Sequence, residues 1–199
     1  EHTEGEGSIY TLTAKDSKGI ITYSFTTNGG AFEIPQIGFI VNNGSTLGKI
    51  DIIDWQGNRL SELPSSVGWG EFGLTDFVTN SDQTFILLSI LMGTPNVVLW
   101  EYKNGIFRGL WKKNYSSAVE ISISPNGQYN CVGDSGCVFI HDTLGMLVYS
   151  YCFPNRVRTN PVSCFSPNNK YLICALSSQM SLIDNKTHKP VWERKVPGD

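Results

Sequence analysis

The tetrapeptide Gly133-Asp134-Ser135-Gly136, followed by His141 and Asp142, places the three residue types of a nucleophilic triad close together in the chain. A serine nucleophile needs a histidine to take its proton and an acid to hold that histidine in place. His141 and Asp142 are consecutive, however, and consecutive residues of a strand point to opposite faces, so they do not line up as base and orienter. A turn between two strands is the reading these residues favour. The other chemistry-bearing residues are dispersed. His2, His141 and His188 are too scattered to propose a metal site, and neither Cys-x-x-Cys nor His-Glu-x-x-His occurs. The glycines sit at turn positions with a repeat period rather than in a phosphate-cradling loop. Five cysteines, Cys131, Cys137, Cys152, Cys164 and Cys174, fall late in the chain, and an odd number leaves at least one unpaired. Cys131 with Cys137, and Cys164 with Cys174, each flank a hairpin closely enough for a cross-strand contact, but buried free thiols filling small core volume are the preferred reading. No catalytic residue, cofactor site or metal site emerges, and the expectation is a protein without enzymatic activity.

The elements that would carry these residues are short strands. Ala118 to Tyr151 reads as four apolar runs cut by Ser124-Pro125-Asn126-Gly127, Asp134-Ser135-Gly136 and Thr143-Leu144-Gly145. Runs rich in Val, Ile, Tyr and Phe between such turn residues predict an antiparallel meander. Proline presets φ and Asn-Gly tolerates positive φ, so the first break is a turn with a mechanism. The meander repeats. An acid closes the third run at Asp54, Glu101, Asp142 and Asp184, with Lys15 as a degenerate fifth member, at spacings of 39, 47, 41 and 42 residues. Ser124-Pro125-Asn126-Gly127 recurs as Ser166-Pro167-Asn168-Asn169, and more loosely as Asn80-Ser81-Asp82-Gln83. An aromatic closes the fourth run at Tyr23, Trp111, Tyr151 and Trp192, whereas the Asp54 repeat offers Leu60 and Leu63. A four-strand unit of about 40–45 residues is the period of a propeller blade. The acids recur once per unit instead of converging, so a structural role is expected. The aromatics are expected to pack between units, where each ring buries on the order of 150–250 Å².

These markers resemble those of the WD40-like and quinoprotein-like (PQQ-like) β-propeller families. Ser124-Pro125-Asn126-Gly127, Gly133-Asp134-Ser135-Gly136 and Ile140-His141-Asp142 are similar to the WD40 pattern of a Ser-Pro-Asp-Gly turn, a Gly-rich hairpin and a terminal Trp-Asp, with His141 in place of the tryptophan. Leu182-Ile183-Asp184 with Lys189-Pro190-Val191-Trp192-Glu193 resembles the quinoprotein-like unit, which ends on an apolar-Trp-acid strand. The resemblance spans roughly Ile9 to Trp192 and is more specific for architecture than for family. It implies a rigid interaction scaffold. It does not bring the quinone and calcium of the enzymes, none of whose ligand positions is matched. Gly133-Asp134-Ser135-Gly136 also resembles the tetrapeptide around a trypsin-like nucleophile, but no other feature of that family is present.

The expected fold is therefore all-β, a propeller of about four and a half four-stranded antiparallel blades at approximately 8–27 (a half), 31–63, 71–113, 117–153 and 160–196. It forms one domain or a fragment of one over 1–199. A ring leaves no edge exposed, so three readings stay open: a piece of a larger propeller, an irregular small ring, or a chain that takes strands from a neighbour and self-associates. The chain starts without Met, so Glu1 reads as a processed end or a fragment edge. Net charge is −3 with no basic cluster, which argues against a duplex-binding surface. The strongest apolar run, Phe85 to Met92, is too short for a membrane span. Protein partners are expected instead. Trp69, in the 64–70 connection, and Arg156 and Arg158, in the 153–160 connection, are the candidate contacts, being of types enriched at hot spots. Sequons at Asn43, Asn114 and Asn185 fall in predicted loops or turns, keeping an extracellular origin open beside a cytoplasmic one, and with it the alternative of a secreted structural or adhesive module joined through edge strands.

Overall fold

A computed structural model describes residues 10–15, 21–27, 31–34, 36–43, 49–62, 74–82, 84–90, 96–116, 119–154 and 159–196. Every regular element among them is a strand. Tyr10–Lys15 (β1) and Ile21–Thr27 (β2) form a two-stranded antiparallel sheet. Four four-stranded antiparallel sheets follow, each a meander paired in chain order. The first is Ala31–Ile34 (β3), Gly38–Asn43 (β4), Lys49–Asp54 (β5) and Arg59–Glu62 (β6). The second is Leu74–Thr79 (β7), Phe85–Ile90 (β8), Val97–Lys103 (β9) and Ile106–Lys113 (β10). The third is Glu120–Ile123 (β11), Tyr129–Asp134 (β12), Cys137–Asp142 (β13) and Leu147–Cys152 (β14). The fourth is Val162–Phe165 (β15), Tyr171–Leu176 (β16), Gln179–Asp184 (β17) and Lys189–Lys195 (β18). No helix of the described residues is long and apolar enough to cross a membrane.

The sheets stack face to face, and the stacking explains the apolar runs. Neighbouring residues of a strand serve opposite layers. Ile86 and Val98 join Ile34, Ile40 and Ile52 in the layer between the first two four-stranded sheets. Their neighbours Leu87 and Leu99 join Val119, Ile121, Ile123 and Val132 in the next layer. Cys131, beside Val132, turns the other way and meets Phe165, Leu172 and Leu176 in the last. A strand covered on both faces reads as continuously apolar, as Phe85–Leu87 does. Burying each such side chain contributes roughly 1.5–3 kcal/mol.

The turns repeat as closely as the strands. Ser124 Oγ accepts a hydrogen bond from the Tyr129 amide (2.8 Å) and donates to Asn126 Oδ1 (2.9 Å). Ser166 and Asn168 do the same around Tyr171, at 2.9 and 2.8 Å. In the second sheet Asn80 Oδ1 replaces the serine hydroxyl and accepts from the Phe85 amide at 2.8 Å. In the third and fourth sheets the next residue of the turn must adopt positive φ. Gly127 does so at 73° and Asn169 at 59°, the two residue types that tolerate it best.

Two expectations are corrected here. The cysteines are not all free, because Cys137 and Cys152 form a disulfide. Register decides it: these two stand directly opposite across β13–β14, whereas Cys131 faces Ile140, Cys164 faces Ile173 and Cys174 faces Ser163 and Ser181. Among the sequons, Asn114 is exposed, but Asn185 is buried and its Nδ2 donates to the Asn169 carbonyl at 2.8 Å, so its amide is committed within the turn. The Asn43 side chain lies outside the described residues.

Candidate protein-binding surface

Ser135 sits in the β12–β13 turn with φ of 49°, its hydroxyl donating to Asp134 Oδ1 at 3.0 Å. Asp134 also accepts from the Ser116 amide at 3.1 Å and from the Ser116 hydroxyl. His141 is at the far end of β13, only 3 % exposed, its Nε2 3.2 Å from the Tyr115 hydroxyl. Burial pushes the Tyr115 phenol above its ordinary range, so it stays protonated. Burial, aided by the charge on Lys113, lowers the His141 pKa to about 4 against the opposing pull of Asp142. A neutral imidazole hydrogen-bonded to a half-buried tyrosine is a packing element. Serine, histidine and acid are therefore split among three separate networks.

The repeated acids hold turns. Asp54 Oδ1 accepts from the amides of Gln56 (2.9 Å) and Asn58 (2.7 Å). Asp142 Oδ1 accepts from Leu144 (2.9 Å) and Met146 (2.8 Å), and Asp184 Oδ1 from Lys186 (2.9 Å) and Thr187 (2.8 Å). Amide hydrogen bonds favour the ionised form of Asp184, holding its pKa below the usual range, and those from Asn58, Gln56 and Gly57 hold Asp54 low against desolvation. Glu101 differs. It lies inside β9, which continues to Lys103, and pairs with Arg108 across the hairpin at 2.8 Å. Asn104 and Gly105, both at positive φ, make the turn without an acid. Trp111 packs in the layer between the second and third sheets. Tyr151 packs edge-on against Phe153 and donates to Glu193 Oε1 of the next sheet at 2.7 Å. Trp192 is half-buried, with the Arg194 guanidinium 5.3 Å above its ring.

Trp69, Arg156 and Arg158 lie outside the described residues. Where β14 ends, however, Tyr151 and Phe153 with residues of β17 and β18 line a groove of about 350 Å³. Phe153, Pro154 and Met180 give it apolar surface, and Glu193, Arg194 and Lys195 line it with both signs of charge. The single-sequence reading missed this groove, because it exists only where β14 of one unit meets β17 and β18 of the next. Among the described residues no group of three or more His, Cys, Asp or Glu side chains is placed to hold a metal ion.

No family model matches the sequence, and a search of curated proteins found no match. Solved structures do match. The crystal structure of the RRP9 WD40 repeats is similar at a TM-score of 0.51 and 17 % identity, over 63 % of this chain and 38 % of that one. The chain thus spans well under half of the length of the protein it resembles. At that identity the likeness speaks to the fold: repeated four-stranded antiparallel sheets stacked as in a WD40-like β-propeller.

Proposed function

We propose that this protein is a non-catalytic propeller scaffold that binds other proteins. The observation that carries the reading is the similarity to WD40 repeats in a chain whose triad-like residues are tied up in structural networks. Fold-level analogy supplies the class of function, and the groove supplies the place. A partner segment fits there with an apolar side chain against Phe153 and Met180 and polar groups toward Glu193 and Arg194. Arg156 and Arg158 follow Pro154 in sequence and extend the same surface in this proposal, with Trp69 as a second contact. A photo-crosslinking residue at Gln179 is expected to capture a defined partner, and one at Glu120 is not. Arg156→Ala with Arg158→Ala should weaken that partner's binding by at least roughly tenfold, as for hot-spot arginines. Equal capture from both positions, or unchanged affinity, would remove the groove from the proposal.

A second reading is a secreted structural or adhesive module. The Cys137–Cys152 disulfide favours it, because such bonds persist in oxidising compartments. Occupancy of the Asn114 sequon in protein from its native source tests it. A bare asparagine together with reduced Cys137 and Cys152 would count against it.

A further inference from the structure

β17 has a cavity at each end. Gln179, its first residue, lines the groove beside Phe153. Asn185, one residue past its last, lines a second cavity of about 290 Å³ where turns of the third and fourth sheets meet. This second cavity carries charge of one sign. Lys170 and Lys186 line it together with His188, and among the described residues no acid does. The chain has more acids than bases, with a net charge of −3, so composition does not account for the grouping. Asp142, paired in register with the cavity residue Tyr129, and Asp184, which precedes Asn185, are the acids at these strand ends. Each spends a carboxylate oxygen on two amides of its own turn, at 2.8 and 2.9 Å.

The frame around the cations is set by the fold. The Asn185 side chain, 8 % exposed, donates from Nδ2 to the Asn169 carbonyl at 2.8 Å, and its backbone amide donates to the Lys170 carbonyl at 2.9 Å. These two bonds fasten the β17–β18 turn to the β15–β16 turn. Asn169 Oδ1 accepts from the Asn126 amide at 3.0 Å, which ties in the matching turn of the third sheet. The His188 ring, on a residue with φ of 56°, stacks on Tyr149 of β14 with ring centroids 5.8 Å apart. Below the turns the filling is apolar, because Tyr129 and Tyr149 pack against the layer that holds Leu172 and Ile183. Like charges in a cleft with low-dielectric walls focus their field on what enters it.

Two ammonium groups in one cavity match two negative charges. A carboxylate brings one, whereas a phosphate monoester brings about −1.5 to −2 near neutral pH, with three strong acceptor oxygens. Lysine serves a phosphate as a point charge, without the fixed fork of arginine. Acceptor oxygens need donors, and Gln128, Tyr129 and Asn185, each with a side-chain donor, line the cavity beside the lysines. We propose that this cavity binds a phosphate monoester, its oxygens received by Lys170, Lys186 and His188. A small phosphorylated molecule and a phosphorylated side chain offer the same group, and the experiment separates these sources. The cavity and the groove lie at opposite ends of β17, so the inference goes beyond the scaffold reading and either can fail without the other.

The test titrates the chain by calorimetry, at low ionic strength and above the second phosphate pKa, with O-phosphoserine, a short phosphoserine peptide and the same peptide carrying glutamate. O-phosphoserine should bind saturably at one site per chain. Lys170→Gln and Lys186→Gln should each weaken it by roughly tenfold, the loss of one charged hydrogen bond. The glutamate peptide should bind more weakly than the phosphoserine peptide by a similar factor. Lys112→Gln, at an exposed position on β10 of the second sheet, removes the same charge elsewhere and should bind like wild type. Lys170 and Lys186 are exposed as well, and all three variants should keep the wild-type circular dichroism. A phosphoserine peptide that binds much more tightly than O-phosphoserine assigns the source to a protein, equal affinities assign it to a small molecule, and both results support the site. Absence of saturable binding by either phosphorylated probe overturns the proposal. So do equal losses in Lys112→Gln and Lys186→Gln, which would show attraction to net charge alone, and so does a glutamate peptide that binds as tightly as the phosphorylated one.

Discussion

His141 links burial to pH. Its pKa falls from 6.5 to about 4 in the folded protein, chiefly through desolvation, with Lys113 lowering it further, Asp142 opposing, and Tyr115 and Trp111 packed against the ring. The unfolded chain therefore binds a proton that the folded chain refuses between about pH 6.5 and pH 4. Stability contributed by the neutral imidazole is complete above pH 6.5 and lost as pH falls toward 4, by up to roughly 3 kcal/mol. Urea midpoints across that window should decline in the wild type and flatten in His141→Gln. A parallel decline in both would mean that the histidine is not the titrating group. The sequence showed a histidine where WD40 repeats carry tryptophan, which fits a large buried ring. It did not show Tyr115, because a partner 26 residues away is chosen by how sheets stack.

At the scale of the element, β12 lies close against Pro161 in the segment entering β15. A Cβ on Gly133 would lie 1.9 Å from the Pro161 carbonyl oxygen, although the backbone there is ordinary for any residue. Gly133→Ala must push the third and fourth sheets apart, and overpacking of this kind costs about 1–3 kcal/mol. Ala175, at the equivalent register position of the fourth sheet, belongs to none of the apolar layers among the described residues. Ala175→Val in dilute solution should change stability by no more than about 0.5 kcal/mol. Denaturant midpoints compare the two, and equal losses would contradict the stacking described. Strand identities and turns were legible beforehand because period-two patterning and Ser-Pro-Asn turns are local. The contact that makes Gly133 obligatory was not, since a glycine inside Gly-Asp-Ser-Gly reads only as a turn residue.

For the whole molecule, the thiols report the stack. Cys164 is exposed, while burial raises the pKa of Cys131 to about 11 and of Cys174 to about 12. Native protein should therefore titrate one thiol quickly, denatured unreduced protein three, and denatured reduced protein five. Reduction opens a loop of sequence separation 15 and should lower stability by roughly 3 kcal/mol, read as a drop in Tm. Five fast thiols in unreduced, unfolded protein would rule the disulfide out.

The sequence alone determined the repeat, the strand count within each unit and the chemistry of the turns, because these depend on residues within a few positions of one another. The likeness to WD40 repeats followed from the same local marks. Tertiary structure decided the cysteine pairing, the burial of Asn185 and the groove beside Phe153. Each of these depends on register or on which sheet lies across a face. A shift of one residue in register would reverse every one of them while leaving the strand pattern itself unaltered.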